Sequence, residues 1–247
     1  MPAFGPLSAL FRDAGQSRAP DAELAWYAQR LPADAGLILD AMCGAGRVLV
    51  PLALLPRKIH GVDASAAMLA RCEEKLAAAG AAAPVFRQDI VQMNLPFRYG
   101  GAFIAGGAFQ LITDPADAAA ALERVRAHLV DPGILVVDCR VPAAAVQRLG
   151  APLIEVRTVK LADGSQIALR SETVWTAEAQ LVRAANRYAH RRGAQRLAEE
   201  HETVQGTWYA PEEIAGLVRA AGFRDVTTGP SGAVVDEGEA FAVMARA

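Results

Sequence analysis

Three carboxylates stand where they could serve one ligand: Asp40, Asp63 and Asp89. Each follows a short, largely apolar run, Leu37-Ile38-Leu39, Lys58 to Val62 and Pro84 to Arg87 respectively. The first run continues as Asp40-Ala41-Met42-Cys43-Gly44-Ala45-Gly46-Arg47. Gly44 and Gly46 permit a tight turn and let a ligand approach with no Cβ in the way. Asp63 lies 23 residues after Asp40, and a carboxylate there can accept from both hydroxyls of a ribose. Asp89 can accept from an exocyclic amine, and Ile90 offers an apolar face to a purine ring. Three acidic groups suit a nucleoside with a cationic substituent better than one with phosphates. A pyrophosphate-cradling G-x-G-x-x-G would need glycine at 49, where the chain has Leu49.

The elements that would hold these groups alternate. A helix is expected over Asp21 to Arg30, capped by Asp21 and ended by Pro32, then a strand at 37–39 buried on both faces. A helix follows over Arg47 to Leu55, with Pro51 either in its first turn or bending it. Lys58 to Val62 is a second strand, and Ser65 caps a helix over 66–79 that Gly80 stops. Strands are expected at 84–87 and 102–105, the latter preceded by Gly100-Gly101. Thr113 or Asp114 caps a helix from Pro115 to Leu129. Asp131-Pro132-Gly133 turns the chain into a strand at 134–138. This order predicts an α/β fold with a mainly parallel sheet. From 154 to 207 the pattern changes to four antiparallel strands, 155–161, 165–175, 181–190 and 197–207, with a hairpin at Asp163-Gly164. A helix over 211–221, ended by Gly222, and strands at 223–228 and 240–245 close the chain.

Composition removes several other classes. The chain has 247 residues, 53% of them hydrophobic, and a net charge of −2, which exclude intrinsic disorder. Three cysteines, Cys43, Cys72 and Cys139, in so long a chain do not make a disulfide framework and are read as reduced cytosolic thiols. The four histidines lack metal-site spacing, so no metal is expected. No apolar run is long enough to span a membrane and no leader peptide is evident, so a cytoplasmic protein is expected. Arginines number 22 against 3 lysines, a bias that suggests a GC-rich bacterial source. The segment 140–208 carries +3 and the remainder −5.

Taken together, these stretches resemble a class I S-adenosylmethionine-dependent methyltransferase. They are Ile38 to Arg47, His60 through Leu69, Arg87 to Asp89, Phe103 to Leu111, His128 to Asp138 and Tyr209 to Phe223. The resemblance implies a seven-stranded, mostly parallel Rossmann-like sheet flanked by helices, with an antiparallel β insertion before the sixth strand. It is similar to the small-molecule branch that includes sugar N-methyltransferases. One domain is implied over 1–247, with a cofactor-binding core at 20–139, the insertion at 140–208 and a closing segment at 209–247.

The roles it implies follow residue by residue. Gly44 and Gly46, with Asp40 and Cys43 beside them, line the methionine part of S-adenosylmethionine, released as S-adenosylhomocysteine. Asp63 binds the ribose, Ala64 and Met68 lie near the adenine, Asp89 and Ile90 contact the base, and Gly106 lies near the sulfonium. The first glycine of the usual motif is replaced by Met42. By position, Phe109, Gln110, Arg140, Trp208 and Tyr209 are substrate candidates, and the helix with Trp26 and Tyr27 is a candidate lid. The implied reaction is in-line methyl transfer to a small-molecule acceptor.

Plainer readings compete. Met68 and Cys43 suit core packing, and the arginines from Arg183 to Arg196 sit among Glu199, Glu200 and Glu202, as a solvated hairpin would. No nucleic-acid or membrane partner is therefore expected. His190 and His201 read as surface or structural groups, no general base stands out, and a homodimer through the insertion is expected. Rival readings are a methyltransferase-like binding or assembly module without catalysis, and a nicotinamide-dependent oxidoreductase.

Overall fold

The computed structural model describes residues 4–31, 36–141, 151–176, 180–232 and 239–247. Five strands run parallel: β1 (Leu37–Ala41), β2 (Lys58–Asp63), β3 (Val85–Arg87), β4 (Tyr99–Ile104) and β5 (Leu129–Val141). The insertion supplies β6 (Leu153–Lys160), β7 (Gln166–Thr176), β8 (Leu181–Arg192) and β9 (Gln195–Thr207), and the chain closes with β10 (Arg224–Pro230) and β11 (Glu239–Arg246). One sheet has seven strands in the order β10-β11-β5-β4-β1-β2-β3, with β11 antiparallel to β5. The other is antiparallel, in the order β6-β7-β8-β9. Both sheets and the expected fold class are present.

The parallel register sets the site. Asp40 lies opposite Gly61 on one neighbour and Phe103 on the other, and Asp63 lies opposite Arg87. The chain therefore leaves β1, β2, β3 and β4 along one carboxyl-terminal edge, where ligands of such sheets bind. Ile38, Leu39, Ile59, Val62, Phe103 and Val136 are all at most 2% exposed, because helices cover both faces.

On one face α2 (Asp21–Arg30), α3 (Leu49–Ala53) and α4 (Ala66–Ala79) enclose a core with Tyr27, Leu49 and Cys72. On the other, α5 (Pro115–His128) and α6 (Pro211–Ala220) enclose a core with Tyr99, Phe109 and Phe241. Ser65 Oγ accepts from Met68 N at 3.2 Å and Gly80 adopts φ 62°, so α4 begins and ends as its sequence requires. Asp114 caps α5.

Several details differ from the sequence expectation. Asp21 is the first residue of α2 and Pro20 occupies the cap position. Helix α3 is shorter than 47–55, and Pro51 lies in its first turn, where its missing N–H costs nothing. Gly100 and Gly101 lie within β4, not before it: Gly101 pairs with Ile38 of β1 and Ile134 of β5, and Leu31 packs closely over it. Strand β5 begins at Leu129 and contains the cis Asp131–Pro132 bond, with a register shift against β4 instead of a separating turn. Pro32 lies outside the described residues.

A further helix, α1 (Pro6–Gly15), was not expected from the sequence. Glu200 on β9 accepts from Leu7 N at 2.9 Å and Ser8 N at 3.0 Å, a carboxylate at the helix's positive end. Phe11 packs edge-on to Tyr188 of β8, and the buried Asp13 pairs with Arg71 and Lys75 of α4. The insertion sheet is thus joined to the main body through α1.

Candidate active site

The loop after β1 is fixed by the strand beside it. Met42 N and Cys43 N both donate to Val62 O, at 2.7 and 2.8 Å. Met42 has φ 74°, in the left-handed region that glycine favours. Its side chain is only 8% exposed and belongs to the main core, so burial offsets the backbone strain. Gly46 has φ 76°, and a Cβ there would fall 2.6 Å from Cys72 Sγ. No larger residue fits without moving α4.

Asp63 closes the arrangement. Its Oδ2 accepts from Gly44 N at 2.8 Å and its Oδ1 from Ser65 N at 2.8 Å. A carboxylate offers about four acceptor sites, so each oxygen retains a lone pair for a further donor. Burial pushes its pKa up, the two N–H donors pull it back, and Asp89 adds to the rise. Asp40 is 1% exposed, and its Oδ1 has no hydrogen-bond partner among the described residues. Burial, then the Asp63 charge, push the Asp40 pKa well up, while Arg47 opposes them.

The remaining cofactor candidates divide by side-chain burial. Asp89 caps the single turn Ile90–Gln92, accepting from Val91 N at 3.0 Å, and both it and Ala64 stay half-buried. Ile90 is 1% exposed and forms part of the core below the edge, not a free apolar face. Met68 is 5% exposed. Cys43 is likewise buried, its thiol pushed well up by contact with Cys72 and by burial, so only its backbone borders the loop.

A second group of contacts was missed from the sequence. Asp138, on β5 and fully buried, accepts from Tyr27 Oη at 3.2 Å, Gly106 N at 3.0 Å and Ser231 Oγ at 2.8 Å. Burial pushes its pKa up against those donors. Arg47, directly after the glycine loop, makes two bonds to the buried Glu23 of α2, at 2.8 and 2.6 Å. Helix α2 is thus fastened across the site edge at two points. Tyr27 is fully buried, tilted against Phe103 and edge-on to Trp26. The signal available was a lone acid, Asp138, inside an apolar strand.

The substrate candidates fall into two places. Gln110 Nε2 donates to Arg140 O at 2.8 Å and Thr207 O at 3.1 Å, and its Oε1 accepts from Arg140 N at 2.8 Å. Its amide therefore ties β5 to the end of β9 and positions Arg140, instead of standing free for a substrate. Trp208 and Tyr209 line an open depression of about 400 Å³ with Val141 and Phe241. Tyr209 also packs against Phe109, and burial raises its pKa to about 12. Arg140 and Val141 are successive strand residues, so their side chains leave opposite faces of β5.

Three arginines of the insertion's cluster are paired: Arg187 and Arg196 with Glu199, Arg192 with Asp163. His201 bonds Glu199 and His190 bonds Ser165. Among the described residues no His/Cys/Asp/Glu group could hold a metal ion, and no helix is long and apolar enough to cross a membrane.

This strand order, with an antiparallel final strand beside β5 and glycine and acid at the edge, is the class I methyltransferase fold. Residues 38–133 match the family model described as a methyltransferase domain. No curated protein matches the chain. Among solved structures, an S-adenosylmethionine-dependent methyltransferase from Clostridium acetobutylicum ATCC 824 is 18% identical with TM-score 0.74, over 91% of this chain and 90% of that one. The sugar N-methyltransferase KedS8 from Streptoalloteichus sp ATCC 53650 is 22% identical with TM-score 0.73, over 94% and 90%. The amino pentose methyltransferase CalS10 from Micromonospora echinaspora, solved with S-adenosylmethionine bound, is 21% identical with TM-score 0.71, over 96% of each chain.

Proposed function

We propose that this chain transfers the methyl group of S-adenosylmethionine to a small-molecule acceptor, leaving S-adenosylhomocysteine. The observation that carries this reading is Asp63. It is fixed by Gly44 N and Ser65 N at the end of β2, with acceptor capacity left for a ribose. The residues fit the cofactor on two further counts. Nothing lies within 4 Å of where a Cβ of Gly44 would stand, so the loop is open to a ligand there, and the partly buried Asp63 gives the edge an acidic group that a sulfonium favours. Bound there, S-adenosylmethionine supplies a methyl group already activated for displacement. Asp63 orients the ribose, while Asp89 and Ala64 border the base. Gly44 and Gly46 border the methionine part, as does the backbone of Cys43, and Gly106 N, fixed by Asp138, marks the sulfonium end. The protein then acts chiefly by proximity and orientation, worth up to about 7–11 kcal/mol in favourable geometries. The reading of a binding module without catalysis draws no support from the family match or the fold neighbours.

Incubation with S-adenosylmethionine and a panel of small amines and alcohols, read by mass spectrometry, tests it. The expected result is an acceptor heavier by one methylene unit with equimolar S-adenosylhomocysteine. Cofactor binding with no product across the panel would support the non-catalytic reading.

Within a single domain, the cofactor core runs through the end of β5 at Val141, strands β6 to β9 form the insertion, and α6, β10 and β11 form the closing segment. The three free buried cysteines fit a reducing cytoplasm, and the arginine bias a bacterial source. Paired arginines on the insertion favour a small-molecule partner over nucleic acid, and nothing in this reading calls for a membrane partner. Ile154, Val156 and Val174 stand exposed on one face of the insertion sheet, which suits pairing with a second copy. Light scattering should give about twice 26.0 kDa; a monomer mass at every concentration would contradict that.

A further inference from the structure

Arg140 differs from the other arginine at the site. Arg47 is closed onto Glu23 by two short bonds. The Arg140 side chain has no hydrogen bond or ion pair among the described residues, and its Nε is buried without a partner. Its backbone is held on both sides by Gln110. Its stem crosses Gly107, within 3.4–3.5 Å of where a Cβ would stand, and its Nη2 lies 3.7 Å from the Cβ position of Gly106. Asp138 acts on it through space, but the bonds that carboxylate accepts come from Tyr27, Gly106 and Ser231. A half-buried guanidinium with an unused fork is a site for a planar or tetrahedral oxyanion, which it holds by paired charge-assisted bonds.

The sheet order says which molecule brings the anion. Asp63 and Asp89 follow β2 and β3, on one side of β4, whereas Arg140 ends β5 on the other. A nucleoside held over β2 and β3 reaches toward β4 with its transferable group, and β5 is left for the acceptor. We propose that Arg140 binds an anionic group, carboxylate or phosphate, carried by the methyl acceptor itself. This rests on the methyltransferase reading and adds the substrate class: an anionic, not a neutral, small molecule.

Inorganic phosphate is the probe, titrated calorimetrically into the full chain saturated with either S-adenosylhomocysteine or 5′-methylthioadenosine, which lacks the amino-acid carboxylate. The expected result is saturable phosphate binding in both complexes. It should weaken at least tenfold in Arg140→Met and recover partly in Arg140→Lys, while S-adenosylhomocysteine affinity changes less than threefold. Phosphate binding only in the methylthioadenosine complex, with S-adenosylhomocysteine affinity falling in Arg140→Met, would assign the arginine to the cofactor carboxylate and overturn the proposal. Equal phosphate affinity in the wild type and Arg140→Met, or none in the wild type, would also overturn it. Failure of the wild type to bind S-adenosylhomocysteine would instead remove the underlying methyltransferase reading. Melting temperatures of the Met and Lys variants separate lost binding from lost folding.

Discussion

Asp63→Ala is expected to weaken S-adenosylhomocysteine binding about 100-fold, read by titration calorimetry. Hydrogen bonds to a charged acceptor contribute roughly 1.5–3 kcal/mol each. Losing two ribose hydroxyls therefore corresponds to about 3 kcal/mol or more, and each 1.4 kcal/mol is tenfold. The substitution also releases Gly44 N and Ser65 N, the donors that hold the glycine loop against the start of α4. Asp63→Asn separates the two effects, because its single carbonyl oxygen can keep one backbone donor while ionic recognition is lost. Affinity within threefold of wild type in the alanine variant, with a normal melting curve, would mean that Asp63 only shapes the loop.

Glu23→Ala carries the second large effect, on stability. Glu23 is fully buried and Arg47 is its partner through two bonds. Removing one member of a buried pair leaves a charge uncompensated, at a cost of about 3–5 kcal/mol. For a chain of this size each kcal/mol lowers the melting temperature by about 2–4 °C, so a fall of about 10 °C is expected. The double variant Glu23→Ala/Arg47→Met removes the stranded charge and should recover part of the loss. A fall below 2 °C in the single variant would show that α2 is held by Tyr27 and its apolar contacts instead.

What the sequence disclosed follows from how local each signal was. Helix α4 lies between a serine cap and a glycine stop, both within its own residues, and its bounds were readable to the residue. The insertion showed strict alternation and an Asp-Gly turn, so four antiparallel strands were legible. The place of Asp63 at the end of β2 was legible because the apolar run stops there and a helix cap follows at Ser65, whereas its bonds to Gly44 N and Ser65 N were not.

Helix α1 was not legible. It is short, begins among Gly5 and Pro6, and draws its stability from distant partners, Glu200, Tyr188 and α4. The Asp138 cluster joins residues 27, 106, 138 and 231, and only the fold brings them together. Gln110 looked like a polar group free for substrate, but its amide fills backbone vacancies at the junction of β5 and β9. Ile90 looked like a ligand face, yet it faces the core, since an apolar residue after a strand serves either purpose.

The central claim, an S-adenosylmethionine site at the carboxyl edge of β1, β2 and β4, is tested most directly by titrating S-adenosylhomocysteine into the wild-type protein. The account predicts saturation at one equivalent per chain. No binding at millimolar ligand, with the protein folded, would contradict it.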